Sequence, residues 1–152
     1  MTLAALLPPA HVFLGVRAAD KPRLLQELAR RAGTALNLPP GEIAAALTAR
    51  EALGSTGVGA GIAVPHAQLP RLAATAAFLA RLERPVDYDA VDGRPVDLAF
   101  VLLGPPAARA EHLAALAAGT RRLRDPATAA ALRQAPTAAA LRDRFLAELD
   151  IS

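Results

Sequence analysis

One apolar run decides the fold of this 152-residue chain: Val96-Asp-Leu-Ala-Phe-Val-Leu-Leu103, closed by Gly104-Pro105-Pro106. A short, continuous apolar run that ends in turn residues is typical of a buried strand. A buried strand needs neighbouring strands beside it and packed layers on its faces. The rest of the sequence is therefore expected to supply both.

Segments of both types surround this run. The β-prone segments His11–Val16 and Ala76–Leu82 are predicted strands, and the glycine-rich segment Ser55–Val64 is predicted to form short strands joined by a turn. Asp87–Arg94 is predicted to be a polar turn. Apolar spacing and capping residues predict these helices: Lys21–Ala32 with Asp20 as N-cap, Gly41–Ala49 ending near Arg50, Arg109–Arg124, Thr128–Arg133 and Thr137–Leu149.

Four helices have a predicted apolar side. In Lys21–Ala32 it consists of Leu24, Leu25, Leu28 and Ala32, and in Gly41–Ala49 it consists of Ile43, Ala46 and Leu47. In Arg109–Arg124 it consists of Leu113, Leu116, Thr120 and Leu123, and in Thr137–Leu149 it consists of Leu141, Phe145 and Leu149. Strands interspersed with helices in a chain of this length predict an α/β fold. We expect a single layered domain over residues 1–152, with a central mixed sheet of about five strands flanked by helices.

The composition limits the chemistry and the location. The chain has no cysteine, which excludes disulfides, thiolate metal ligands and a thiol nucleophile. Hydrophobic residues make up 53% of it, yet no uninterrupted apolar stretch of about 18 residues is present. Met1–Pro9 lacks the basic start and the cleavage site of a signal peptide. We therefore expect a soluble, cytoplasmic protein without membrane insertion.

The basic residues do not indicate a nucleic-acid partner. The formal net charge is only +3, and the basic residues are spread from Arg17 to Arg144 among acidic ones. Neither a dense basic stripe nor interleaved aromatic residues are present. The predominance of arginine, with Lys21 as the only lysine, is more simply typical of a GC-rich genome.

The segment before His66 is rich in glycine: Gly54, Gly57, Gly59 and Gly61. Such density occurs where the backbone turns sharply or approaches a ligand closely, and an anion is the obvious candidate. A P-loop would need Lys and Ser or Thr where Ala60 and Gly61 stand, and a dinucleotide fingerprint would need glycine at Ile62. Both of these interpretations fail. A glycine-rich turn without chemistry remains an alternative.

His66 ends this segment and is the main candidate for chemistry. Pro65 fixes its own φ and favours an extended Val64, so the imidazole follows a stiff segment. A neutral imidazole is a good nucleophile near pH 7 when one nitrogen is anchored by a hydrogen bond and the other is free. The glycine-rich backbone offers carbonyl groups for that bond. Because a lone histidine in an apolar setting is more often structural, both interpretations stay open at this point.

Other residues near His66 have two interpretations each. Arg50 either turns its planar guanidinium towards the loop to bind an oxyanion or satisfies the helix dipole. The hydroxyls of Ser55 and Thr56 and the backbone amides around Gly57 either bind and orient an anion or only close the turn.

The remaining histidines and acidic residues give weaker signals. His112 is either a second imidazole of the site or one surface residue among several, and His11 is interpreted as structural. No histidines are paired at metal-ligand spacing. The aspartates of Asp87–Arg94 suggest an EF-hand loop, but Val91, Asp92 and Leu98 stand at its fifth, sixth and twelfth positions. A solvated turn is the better interpretation, and no metal or organic cofactor is expected.

One long segment carries a family resemblance: Leu47-Thr-Ala-Arg-Glu-Ala-Leu-Gly-Ser-Thr-Gly-Val-Gly-Ala-Gly-Ile-Ala-Val-Pro-His-Ala67. It resembles the active-site segment of bacterial phosphotransferase-system EIIA domains of the fructose/mannitol class, and among these it is most similar to the nitrogen-regulatory EIIA-Ntr members. The likeness continues through Leu36–Pro40, Tyr88–Asp92, Pro95–Leu98 and Glu111–Leu113, so it covers nearly the whole chain.

The resemblance implies a role for each matching residue. His66 falls where the family accepts a phosphoryl group on Nε2 from an HPr-like phosphocarrier protein. Arg50 falls where an arginine assists that group, and His112 where a second histidine lines the site. Ala67 stands where glycine is frequent and Gln68 where a basic residue is expected. These two departures bear on partner affinity and not on the phosphoryl chemistry.

Three functions follow as hypotheses. The resemblance favours a regulator whose phosphorylation state controls target proteins. A sugar-specific EIIA that passes the phosphoryl group to an EIIB partner is the alternative within the family. A non-transferring binding module that senses an anion is the alternative from another class. The sequence leaves the oligomeric state open, a homodimer included.

Overall fold

The computed structural model describes residues 2–147, which form six strands and six α-helices. The strands are β1 (Val12–Val16), β2 (Gly57–Gly59), β3 (Ile62–Ala63), β4 (His66–Gln68), β5 (Ala76–Val86) and β6 (Val96–Gly104). The helices are α1 (Leu3–Leu6), α2 (Lys21–Leu36), α3 (Pro40–Ala52), α4 (Arg109–Arg124), α5 (Pro126–Arg133) and α6 (Ala138–Leu146). No helix in the described part of the chain is both long enough and apolar enough to span a membrane.

The apolar run that opened the sequence forms β6, the centre of a single mixed sheet. The strand order is β1-β5-β6-β3-β2, and β4 also pairs with β6. On one side β5 runs antiparallel to β6, with β1 parallel to β5. On the other side β3 and β4 both run parallel to β6, at Leu98 and Leu102 respectively. The predicted mixed sheet is thus confirmed, with six strands where about five were expected.

Both faces of the sheet are covered by helices. Phe78 and Val101 point into an apolar cluster with α2 and α3, whereas their neighbours Leu79 and Phe100 point into a second cluster with α4, α5 and α6. Successive side chains of a strand point to opposite faces, so a central strand covered on both sides reads as one continuous apolar run. This packing accounts for the sequence of β6.

Helix boundaries follow the local chemistry. Asp20 is the N-cap of α2, as predicted, and accepts a hydrogen bond from the amide of Arg23 at 3.0 Å. The helix runs beyond the predicted Ala32 and ends at Leu36, because Asn37 adopts the left-handed conformation that closes helices. Thr137 caps α6. Leu141 and Phe145 are buried there as predicted, and Leu149 lies outside the described residues.

The predicted polar turn differs from its prediction in one detail. The turn that includes Asp87–Arg94 has exposed aspartates, yet it carries Tyr88, whose side chain is fully buried.

His11 lies just before β1, stacks on Phe78 with ring centroids 4.3 Å apart, and bonds the carbonyl of Ala77 through Nδ1 at 2.9 Å. Burial lowers the pKa of His11. These contacts support its structural interpretation.

The predicted apolar side of α4 was right at Leu123, which is fully buried, and wrong at its other three residues. The buried residues of this helix are His112, Ala115, Gly119 and Leu123. Leu113 is 53% exposed, and Leu116 and Thr120 are only partly buried. The reason is Gly119, which has no side chain and lets the ring of Phe100 pack against the helix. A large strand residue and a small helix residue thus determine which side of α4 faces the sheet.

We expect Gly119→Ala to destabilise the protein. The added methyl group would approach three ring carbons of Phe100 more closely than 3.0 Å. Overpacking of this kind costs about 1–3 kcal/mol, which exceeds the gain of up to about 1 kcal/mol from replacing glycine in a helix. The free energy of unfolding, measured by urea denaturation, should fall by about 1–2 kcal/mol.

Gly41→Ala is the matched control, because Gly41 lies in α3 and an added methyl group would meet nothing within 4 Å. Its free energy of unfolding should stay equal or rise by up to about 1 kcal/mol. Equal stability of the two variants would contradict the account of how α4 packs.

Candidate functional site

His66 faces an open cleft between the end of α3, strand β4 and the start of α4. The cleft has a volume of about 640 Å³. Its lining residues are Ala46, Ala49, Arg50, Leu53, His66, Ala67, Gln68, Arg109, His112 and Leu113. The three residues with the strongest implied roles, His66, Arg50 and His112, thus share one surface.

The protonation of the His66 ring follows from its hydrogen bonds. Its Nδ1 lies 2.8 Å from the carbonyl oxygen of Val64. A carbonyl only accepts, so Nδ1 carries the proton and Nε2 keeps its lone pair. Pro65 lies between the two partners and holds them in place, because its own carbonyl accepts from the amide of Leu102 in β6 at 3.1 Å. The anchoring carbonyl expected from the sequence is therefore that of Val64.

Arg50 contacts the other side of the ring. Its Nε donates to Nε2 of His66 at 3.3 Å, and its Nη1 donates to the carbonyl of Gly54 at 2.9 Å. Arg50 lies in the last turn of α3, and the chain turns back immediately after this helix. The guanidinium thus satisfies a carbonyl just beyond the helix end and also reaches the imidazole, while binding of an oxyanion by Arg50 remains a prediction.

His112 supplies a second imidazole. Its ring centroid lies 5.8 Å from that of His66, with an angle of 56° between the planes. The residue is 5% exposed and lies in the first turn of α4. Burial, and to a smaller degree the neighbouring His66, lowers the pKa of His112. The neutral form of this ring is therefore favoured near pH 7.

A buried ionic network holds the loop that precedes β2. The carboxylate of Glu51 accepts from the amide of Thr56 at 2.9 Å, from the Thr56 hydroxyl, and from the ammonium of Lys21 at 3.0 Å. Its side chain is only 6% exposed. Burial alone would raise the pKa of Glu51, but the hydrogen bonds from Thr56 and Lys21 outweigh it and lower the pKa. The carboxylate stays ionised and fixes the loop.

Tyr88 extends this network from the opposite loop. Its hydroxyl lies 3.1 Å from the Thr56 hydroxyl, and the Lys21 ammonium lies 4.4 Å from its ring centre. Burial and the charge of Glu51 raise the pKa of Tyr88, so its hydroxyl stays protonated. The carbonyl of Tyr88 accepts from the Ser55 hydroxyl at 3.1 Å, and the Ser55 oxygen accepts from the amide of Gly57 at 3.1 Å.

Ser55, Thr56 and Gly57 therefore do not join the lining of the cleft. The two hydroxyls, together with the amides of Thr56 and Gly57, bond Glu51, Tyr88 or one another. These bonds hold the loop in one conformation, and an orienting part of the three residues remains a prediction. Direct binding of a phosphoryl group by them remains a prediction.

The sequence did not single out Glu51, Tyr88 or the pairing of Lys21. Glu51 and Tyr88 both lie within segments that carry the family resemblance, but no local pattern links them. Their contacts join α3, the turn before β2 and the loop after β5. The only available signal was that Lys21 and Tyr88 are each the single residue of their type.

Known proteins resemble this chain over nearly its full length. It is 40% identical to the nitrogen regulatory protein of Bradyrhizobium diazoefficiens, over 93% of this chain and 92% of that relative. It is 42% identical to the nitrogen regulatory protein of Pseudomonas aeruginosa, over 91% of each. The crystal structure of the nitrogen regulatory protein IIA-Ntr from Neisseria meningitidis matches with a TM-score of 0.89 and 31% identity, over 94% of this chain and 98% of that chain.

The family itself is equally clear. Residues 5–148 match the family described as phosphoenolpyruvate-dependent sugar phosphotransferase system, EIIA 2. This match covers the sheet, the cleft and the network around Glu51. It confirms the resemblance that the segment Leu47–Ala67 carried: the chain belongs to the EIIA 2 family of the phosphotransferase system.

Proposed function

We propose that this protein is a phosphoryl-carrier regulator of the nitrogen-related phosphotransferase system. His66 accepts a phosphoryl group from an HPr-like phosphocarrier protein in the cytoplasm, and the phosphorylation state controls binding to target proteins. One observation carries the proposal: on the His66 ring, which lines the cleft, Nδ1 is held by the carbonyl of Val64 and Nε2 keeps its lone pair beside Arg50. A ring prepared in this way is a nucleophile.

The proposed transfer is an in-line displacement. The Nε2 lone pair of His66 attacks the phosphorus of the donor's phosphohistidine. The donor's N–P bond breaks, and its electron pair returns to the donor nitrogen. Arg50 balances the charge of the equatorial oxygens, and His112 borders the same space. Positioning and electrostatics supply the catalysis, and the transfer uses no metal or organic cofactor.

The Glu51 network positions Arg50 and the loop for this reaction. Glu51 follows Arg50 directly in α3, so pairing Glu51 with Thr56 and Lys21 also fixes the last turn that carries Arg50. Ser55, Thr56 and Gly57 orient the loop through the same bonds. A rigid turn of this kind keeps the guanidinium close to Nε2.

The regulatory function is favoured over sugar transport. The two relatives named nitrogen regulatory protein match more than nine tenths of this chain and of their own length. In the alternative function, the protein would pass the phosphoryl group to an EIIB partner for sugar uptake. Incubating the phosphorylated protein with candidate EIIB proteins separates the two, because rapid onward transfer would favour transport.

We expect His66→Ala to abolish phosphorylation. The protein is incubated with phosphoenolpyruvate, an enzyme I-type protein and an HPr-type protein, and acid-labile phosphate is measured. The wild type should reach about one phosphoryl group per chain, since one nucleophilic nitrogen is presented. His11→Ala is the control, because His11 lies outside the cleft. Full labelling of His66→Ala would overturn the assignment, and anion binding by an unlabelled wild type would favour the sensing module.

We expect Arg50→Gln to slow phosphorylation of His66 about 10²-fold, because loss of one preorganised cationic donor to a developing oxyanion has an effect of this size. Arg109→Gln is the matched control. Arg109 also lines the cleft, but no hydrogen bond or ion pair in residues 2–147 ties it to His66. Initial rates of labelling at limiting enzyme should separate the variants, and equal rates would remove Arg50 from the site.

Exposed leucines at the cleft suit the docking of a protein donor. Leu53 is 84% exposed and Leu113 is 53% exposed, and both line the cleft that holds His66. Exposed large apolar side chains beside a functional group are typical of an interaction surface. The donor's phosphohistidine must enter the cleft, so the donor surface has to cover this rim.

We expect Leu53→Asp to raise the KM for the phosphorylated donor about tenfold with little change in kcat, because it removes an apolar contact made on docking. Val91→Asp is the matched control: Val91 is 77% exposed but does not line the cleft. Steady-state labelling kinetics measure both values. If Val91→Asp raised the KM as much as Leu53→Asp, the docking surface would have to be placed elsewhere.

A further inference from the structure

Two buried polar atoms of the described residues have no hydrogen-bond partner: Oγ1 of Thr75 and Nδ1 of His112. Thr75 is 6% exposed and His112 is 5% exposed, so neither side chain is freely hydrated. Buried polar groups without partners are rare in folded proteins because they lose water without compensation. Their coincidence beside the cleft requires a physical explanation.

The two atoms border the same small space. A Cβ placed on residue 104 would lie 3.2 Å from Oγ1 of Thr75 and 3.1 Å from Nδ1 of His112. Residue 104 is glycine, the last residue of β6, so no side chain separates them. The Thr75 hydroxyl thus borders the same space as Nδ1. The structure records no hydrogen bond between the two atoms, but one across this space would satisfy both.

The direction of that hydrogen bond follows from counting protons and lone pairs. If Nδ1 carried the proton and donated to Thr75, the hydroxyl proton would remain buried without an acceptor. If Thr75 donates to Nδ1, the hydroxyl proton and the Nδ1 lone pair are both satisfied. The neutral ring then carries its proton on Nε2. This nitrogen is not among the buried atoms without a partner, and the ring lines the cleft.

We propose that Thr75 is a positioning residue for His112. Its hydroxyl donates to Nδ1 and keeps the ring in the form that presents an Nε2–H donor to the cleft. The use of that donor, to hold a phosphoryl oxygen on His66, rests on the proposed function. The hydrogen bond itself does not, so the two claims can fail separately.

Long-range ¹H–¹⁵N spectra of the His112 ring test the hydrogen bond without any phosphoryl transfer. At a pH where the ring is neutral, the wild type and Thr75→Ser should show one form with the proton on Nε2. Thr75→Val, which has nearly the same shape but no hydroxyl, should lose this preference. A wild-type ring protonated on Nδ1, or unchanged nitrogen shifts in Thr75→Val, would overturn the proposal. If Thr75→Val does not fold, Thr75→Ala replaces it.

The rate of His66 labelling tests the positioning role. Thr75→Val should slow labelling about 2- to 12-fold, the effect of losing one net hydrogen bond, and Thr75→Ser should restore the rate. Equal rates in the valine and serine variants would overturn the role in transfer. A wild type that takes up no phosphate would instead overturn the proposed function, and the ring spectra would still decide the hydrogen bond.

Discussion

The hydrogen bond from Nδ1 of His66 to the carbonyl of Val64 is the interaction on which the site depends. It leaves the ring's lone pair on Nε2, where it accepts from Nε of Arg50. The bond spans only Pro65, yet the sheet fixes both of its ends, because β3 and β4 pair with the same edge of β6 at Leu98 and Leu102. The central strand therefore supports the proposed nucleophile as well as the core.

Helix α3 supplies the second constraint. Arg50 and Glu51 are consecutive, so their side chains leave the helix about 100° apart. Arg50 turns to His66, while Glu51 turns to Thr56 and Lys21. Removing a partner from a buried carboxylate strongly destabilises the folded state. The pairing of Glu51 with Lys21 and Thr56 therefore favours the loop conformation that keeps these contacts. The same turn of helix thus places a cation at the cleft and anchors the loop behind it.

Much of this arrangement was predictable where the signal is local. A few consecutive residues are enough to predict strand β6, the Asp20 N-cap and the stiff Val-Pro segment before His66. Strand β4 was missed because its few residues form a strand only by pairing with β6. Apart from Leu123, the buried side of α4 was missed because it depends on the fit of Gly119 to Phe100, which come from different elements.

The candidate site, too, could be predicted from the sequence only in part. The family segment brought out His66 and Arg50, whereas the partners of Glu51 and the pairing of Thr75 with His112 require three-dimensional contacts. Nε2 of His66 also accepts from Arg50, so on the proposed mechanism a bond from Nε2 to phosphorus would displace this arginine from the lone pair. Arg50 has a second anchor at the carbonyl of Gly54, about which its guanidinium can pivot towards the phosphoryl oxygens. The guanidinium would then bond a negatively charged phosphoryl oxygen in place of a neutral imidazole nitrogen, which offsets the loss of the first bond. On the proposed mechanism, Arg50 changes position with each phosphorylation beside the exposed Leu53, and the docking surface differs between the two states.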